Sequence, residues 1–155
     1  MSTTGNAPDV PRKQPESFRA RSLAASLTVN DLERSLAFYR DVLGFTEDRR
    51  HERDGKLVAV SLKAGDVELL LGQDDGKKGM DRVKGVGFSM QFTTAQDIDA
   101  LAAQVKARGG TLASEPHPLP WGARVFRVQD PDGFMLVFTS PRPSADVPGR
   151  RQSVS

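Results

Sequence analysis

An α+β fold of two tandem βαβββ modules is predicted by three features of the 155-residue sequence. They are a strand-turn-helix stretch from Ala25 to Phe45, a copy of it that begins at Gly87, and a pair of apolar segments after each helix. In the first strand Ala25, Leu27 and Val29 alternate with Ser26 and Thr28, which is the period of a half-buried strand. Leu32, Leu36, Tyr39 and Leu43 then fall at helical spacing, with Asn30 or Asp31 placed to cap the start and Gly44 just past the end.

The copy repeats this plan. Phe88, Met90 and Phe92 alternate with Ser89 and Gln91, and Ile98, Leu101, Ala102 and Val105 form the helical stripe that ends at Gly109 and Gly110. Asp31-Leu32 and Gly44 recur as Asp97-Ile98 and Gly110 at one constant offset, whereas the strands require a three-residue insertion near Thr93-Thr94-Ala95. After Phe45 the segments Leu57 to Leu62 and Val67 to Leu71 are strand-like, and after Gly110 so are Arg124 to Val128 and Phe134 to Thr139. Asp130-Pro131-Asp132-Gly133 joins the last two as a tight turn, with Pro fixing φ and Gly supplying its positive value. The expected organisation is a disordered tail over 1–20, a first module over 21–72, a linker over 73–85, a second module over 86–140 and a second tail over 141–155.

Composition narrows the function classes. No apolar run is long enough to span a bilayer and no leader-like apolar segment opens the chain, and the sequence has no cysteine. A cytoplasmic protein without disulfides or a cysteine nucleophile is expected. The formal charge of +2 arises in the tails, since acids and bases nearly cancel between Arg21 and Pro141. Arg150-Arg151 in a tail is no nucleic-acid patch, and neither nucleic acid nor membrane is an expected partner.

Three segments lie between the periodic ones. His51, in the charged hairpin from Thr46 to Arg53, is expected on the surface. Lys77-Lys78-Gly79 lacks phosphate-loop spacing and belongs to the linker. Ser114 to Gly122, with three prolines, His117 and the single tryptophan, Trp121, is expected to be a stiff loop leading into the strand at Arg124.

The helix VNDLERSLAFYRDVLGF, the Trp121-Gly122 pair ahead of a strand and the Asp-Pro-Asp-Gly turn ahead of the last strand together resemble the glyoxalase, bleomycin-resistance and extradiol-dioxygenase group, the vicinal oxygen chelate superfamily, from about Ser22 to Ser140. The resemblance implies two βαβββ modules whose sheets curl into an open, half-barrel cleft, commonly in a homodimer. Its metalloenzymes hold a divalent metal on the concave face through histidines and carboxylates. Carried over residue by residue, the first histidine would fall at Ala24, the second at Gly87 and a glutamate at Val137, leaving only Glu68 with a carboxylate at such a place. One carboxylate does not hold a catalytic metal, so no metal and no cofactor are expected.

Alternation places Ala24, Ser26 and Thr28 on the concave side of the first strand, Gly87, Ser89 and Gln91 on that of the copy, and Met135, Val137 and Thr139 on that of the last strand. The expected ligand-binding set is Trp121, Gln91, Ser89, Met135, Val137, Glu68 and Phe126. Trp121 either stacks on a ligand or packs under its own loop, Glu68 is a surface residue or an anchor for a cation, and Phe126 suits core more than pocket. The sequence therefore reads as a bleomycin-resistance-like binding protein that sequesters a planar or cationic antibiotic-type small molecule in a homodimer cleft, with no catalytic residues assigned. The alternative is a metal-dependent lyase, isomerase or oxygenase built on His51, Glu68 and His117. A scaffold acting through its tails is a third possibility.

Overall fold

The computed structural model describes residues 18–143, and the expectations for the tails beyond those residues lie outside it. The elements are β1 (Ala24–Val29), α1 (Leu32–Ala37), β2 (Thr46–Arg53), β3 (Lys56–Ala64), β4 (Val67–Gln73), β5 (Ser89–Thr93), α2 (Ile98–Ala107), β6 (Leu112–Pro118), β7 (Arg124–Gln129) and β8 (Met135–Thr139). They build two four-stranded sheets, ordered β1-β4-β3-β2 and β5-β8-β7-β6. In each the module's first strand pairs parallel with its last, and the other pairs are antiparallel. Neither sheet closes on itself.

Two segments differ from expectation. Thr46 to Arg53 is not merely a surface hairpin but the edge strand β2, and Leu112 to Pro118 forms the edge strand β6 where a loop was expected. Charge on both faces of β2 hides the strand period, and such charge suits an edge that must resist pairing with other chains. In β6 the register breaks between Ser114 and His117, so Pro116 sits at an irregularity where its missing N–H costs no ladder bond.

Both helices are capped as the sequence suggests, by Asp31 and Asp97, whose carboxylates accept from the N–H groups of Arg34 and Asp99. Gln73, at the end of β4, adds a second cap by accepting from Leu32 N–H at 2.9 Å. Beyond Ala37 the first helix widens into a π-turn over Phe38–Val42, with Leu43 N–H reaching Phe38 O at 3.1 Å. Regular α spacing to Leu43 is thus not what forms.

Two core clusters adjoin, one of Ile98, Ala102, Val105, Phe126 and Val128, and a larger one that joins the modules. Leu27, Val29, Val60, Leu62, Leu69 and Leu71 from the first sheet and Leu136 from the second are buried in that larger cluster, with α1 between them. Phenyl and phenol rings run from it to the smaller one in edge and stacked contacts, from Tyr39 to Phe45, Phe92, Phe138 and Phe126, at 5.0 to 5.8 Å between successive centroids.

The Asp130–Gly133 turn also fastens the first module. Asp130 accepts from the Tyr39 hydroxyl at 2.8 Å and from two N–H groups of its own turn, while Asp132 accepts from Asn30 N–H and the Ser35 hydroxyl. Burial holds the Tyr39 phenol protonated and raises the Asp130 carboxyl above its ordinary range, against the Tyr39 hydrogen bond that lowers it. Replacing Tyr39 by Phe should cost about 1–3 kcal/mol at pH 7, because it leaves a buried carboxylate short of a donor. Without that donor the Asp130 pKa rises further. A group whose folded pKa is raised favours the fold below its unfolded pKa and loses that contribution as pH rises through the folded one. The penalty in Tyr39→Phe should therefore shrink on acidification, which denaturant titrations at pH 7 and pH 4 would check; a constant penalty would contradict the assignment.

The segment from Asp74 to Gly85 is tied down as well. The Lys84 ammonium, almost fully buried, lies 2.8 Å from Asp74 and donates to Asn30 Oδ1 at 2.6 Å. Lys84 and the Gly76 N–H together hold the Asp74 carboxyl down at about 2.

Candidate functional site

With the apolar side of each sheet turned to the core, the other side faces away from it and is open in places, with Ser61, Val125, Val137 and Thr139 buried there. Residues paired directly across neighbouring strands point to the same side, so the register defines each open face. On the first sheet Ala24, Glu68, Lys63 and Thr46 form one row, Ser26, Leu70, Ser61 and Arg49 the next, and Thr28, Gly72, Ala59 and His51 the third. On the second sheet the rows are Ser89, Met135 and Gln129; then Gln91, Val137, Arg127 and Ser114; then Thr93, Thr139, Val125 and His117.

Of the residues expected to bind ligand, Ser89, Gln91, Met135 and Val137 share the second open face. Glu68 lies on the first, exposed and across from Lys63. Trp121 lies in the β6–β7 connection and is 54% exposed. Phe126 does not join them. It is fully buried on the core side of β7, stacked on Phe138 at 5.0 Å. Gly87 also departs from the concave row, since it sits in a turn ahead of β5 with φ of 71°.

Other residues on these faces were not in the expected set. Arg127 follows from the alternation in β7 once Phe126 and Val128 are known to be buried. Arg49, by contrast, depends on the bulges of β2, which shift register between Glu47 and Arg49 and again after His51. The Ser114 hydroxyl, next to Arg127 in its row, is buried with no hydrogen-bond partner among the described residues. Arg49, Lys63 and Arg127 make no ion pair among those residues. Among the described residues the two faces therefore carry three cations without an ion pair against two carboxylates, those of Glu68 and of Glu52, which pairs with Leu57 at the far end of β3.

This pair of capped βαβββ modules can be set beside known proteins. The family model described as Glyoxalase/Bleomycin resistance protein/Dioxygenase superfamily matches residues 21–138. The chain belongs to that superfamily. A lactoylglutathione lyase of Haemophilus influenzae is 30% identical over 128 residues, covering 75% of this chain and 89% of the relative. A lactoylglutathione lyase of Arabidopsis thaliana is 28% identical over 137 residues, 83% of this chain, which spans about half that relative's length (48%). The crystal structure of TioX from Micromonospora sp. ML1 superimposes with a TM-score of 0.65 at 20% identity, covering 78% of this chain and 98% of that one, and it bears on fold alone. Among the described residues no helix is long and apolar enough to cross a membrane.

The superfamily's metalloenzymes pose a direct question of these side chains. Ala24 pairs with Glu68 across β1 and β4, and Val137 pairs with Gln91 across β5 and β8. Of the four positions carried over, Ala24, Gly87 and Val137 offer no side-chain donor and Glu68 one carboxylate, to which Gln91, across from Val137, adds a carboxamide. Carboxamides are weak ligands, and a divalent ion needs several deprotonated donors converging, so the residues present do not fit a catalytic metal. Nor do His51, Glu68 and His117 supply one within a chain. His51 is two strands across from β4 and pairs in the row of Gly72, four residues along from Glu68, while His117 is on the other sheet. No group of three or more histidines and carboxylates comes together among the described residues.

Proposed function

We propose that this protein binds a small, planar organic anion on its open sheet faces, stoichiometrically and without a metal, and that two copies assemble to turn each face into a cleft. The observation that carries the proposal is the row Gln91, Val137, Arg127 and Ser114. It places a carboxamide, a small apolar side chain, an unpaired guanidinium and a buried hydroxyl without a partner side by side. Such a row recognises a carboxylate or similar group, which a guanidinium takes through paired hydrogen bonds. Met135 and Val137 supply apolar contact, and Trp121, half exposed near the end of the sheet, supplies a ring for stacking. The surplus of cations over Glu68 and Glu52 turns the charge preference from a cationic antibiotic to an anion.

A second reading has one observation in its favour, the similarity to relatives named lactoylglutathione lyase. In that reading the chain forms lactoylglutathione, itself a carboxylate-bearing thioester, with a metal held by residues other than those matched above.

Metal-dependent turnover separates the two readings, and emission of Trp121, the sole tryptophan, reports the charge preference. Titration with S-(4-nitrobenzyl)glutathione, an anionic aromatic conjugate, should give saturable quenching, and cationic bleomycin should give none. Protein purified without a histidine tag should contain no stoichiometric metal and, with divalent metals added, should not form lactoylglutathione from glutathione and methylglyoxal. Metal-dependent turnover would establish the lyase instead, and saturation by bleomycin alone would reverse the charge preference.

A further inference from the structure

On the helix side of the molecule, meeting the second open face only at Thr93 at the end of β5, the two modules leave a cavity of about 440 Å³ between them. Its floor is aromatic. Phe92 stacks on Phe138 and Phe138 on Phe126, with interplanar angles of 19° and 13°, and Phe45 meets Phe92 edge-on at 5.8 Å. Phe126 is itself fully buried, so the partly buried Phe92 and Phe138 are the rings that a ligand reaches. Leu101 and Val105 of α2 make an aliphatic wall, and Gln104 and Arg108 of the helix end add polar groups to the lining. Asp66, in the β3–β4 turn, contributes the cavity's one carboxylate among the described residues.

Arg108 is the informative residue. One of its guanidinium nitrogens lies 3.2 Å from where a side chain on Gly44 would begin, so it reaches from the second module to the first. It has no carboxylate partner among the described residues. The size falls within the range of small-molecule sites, and ligand pockets characteristically combine apolar walls with a few polar groups. Chain elements that could have filled the space are small where they border it, namely Gly44, Ala64, Gly65 and Ala95.

We infer that this cavity is a second binding site, for a small aromatic monocarboxylic acid, with the ring on the phenylalanine floor and the carboxylate on Arg108. A ring there gains offset-stacked and edge contacts, and the guanidinium takes the carboxylate bidentately. Asp66 sets selectivity against a second acidic group on the ligand. This site is independent of the open-face row and goes beyond the function proposed from it.

The test uses the full chain, labelled with nitrogen-15 and titrated with 2-naphthoate and with its neutral amide, 2-naphthamide. Naphthoate should shift the amide signals of Thr94 to Gln96 and Gln104 to Arg108 saturably, leaving those of Gln91, Arg127 and Val137 in place. Arg108→Gln, at an exposed helix end, should weaken naphthoate at least about tenfold, the loss of a bidentate charge-assisted contact that is largely solvent-exposed, with naphthamide unchanged. Gln104→Trp, which fills the cavity from α2, should abolish both. The inference is overturned if naphthoate shifts nothing up to its solubility limit, if its shifts centre on Arg127 and Val137, if Arg108→Gln weakens acid and amide alike, or if Gln104→Trp leaves naphthoate binding intact. Shifts centred on the open face would leave the proposed function standing while removing this site.

Discussion

Gly85→Ala should cost about 3 kcal/mol of folding stability, whereas Gly55→Ala should cost about 1 kcal/mol, although the two glycines share nearly the same backbone conformation. Their φ angles are 80° and 74°, so the strain of placing an L side chain in the left-handed region is common to both. Their surroundings are not. A methyl on Gly55 would meet nothing within 4 Å, while one on Gly85 would lie 2.6 Å from Gly133 O and 2.8 Å from Gly133 C. Those atoms are backbone of the turn whose aspartates grip Tyr39, Asn30 and Ser35, so they cannot swing aside as a flexible side chain would. The difference between the variants should appear in urea as a lower midpoint with unchanged slope. Equal losses in the two would mean that the linker does not lie against the turn as described.

The largest expected effect on binding is at Arg127. Arg127→Gln should weaken S-(4-nitrobenzyl)glutathione roughly tenfold, and Arg127→Glu roughly a hundredfold, since the reversal replaces an attraction with a repulsion of similar size. Stability should hardly change, because Arg127 is only partly buried and makes no ion pair among the described residues. The wild-type affinity should also fall as salt is added, and the Arg127→Gln protein should respond less steeply. Trp121 quenching at two ionic strengths measures both. Wild-type affinity in Arg127→Glu would show that the row across β5, β8, β7 and β6 does not bind the anion.

What the sequence determined is whatever a single element encodes in its own period and caps. The alternation of β1, the outward direction of Ser89, Gln91, Met135 and Val137, the caps at Asp31 and Asp97 and the turn at Asp130 are local properties, legible because a strand or helix burying one side must repeat at its own spacing. The repeat of these signals made two modules legible as well. The edge strands were not, because β2 is charged on both sides and β6 contains prolines, so neither carries a buried-face period. Gly87 fell outside its strand because it takes a positive φ in the turn ahead of β5, which the alternation of its neighbours does not record.

Tertiary structure alone decided which residues meet. Nothing local to Asp130 or Asp132 indicates that their carboxylates close on Tyr39 and Ser35, 91 and 97 residues away in the chain. The row that joins Gln91 to Ser114 spans four strands and depends on register, which two bulges in β6 reset. The cavity floored by Phe92, Phe126 and Phe138 exists only because the helix sides of two modules pack against each other, leaving space where small residues face one another across that packing. Pairing between distant segments is set by the sum of their packing and hydrogen bonds, and no period within either segment contains it.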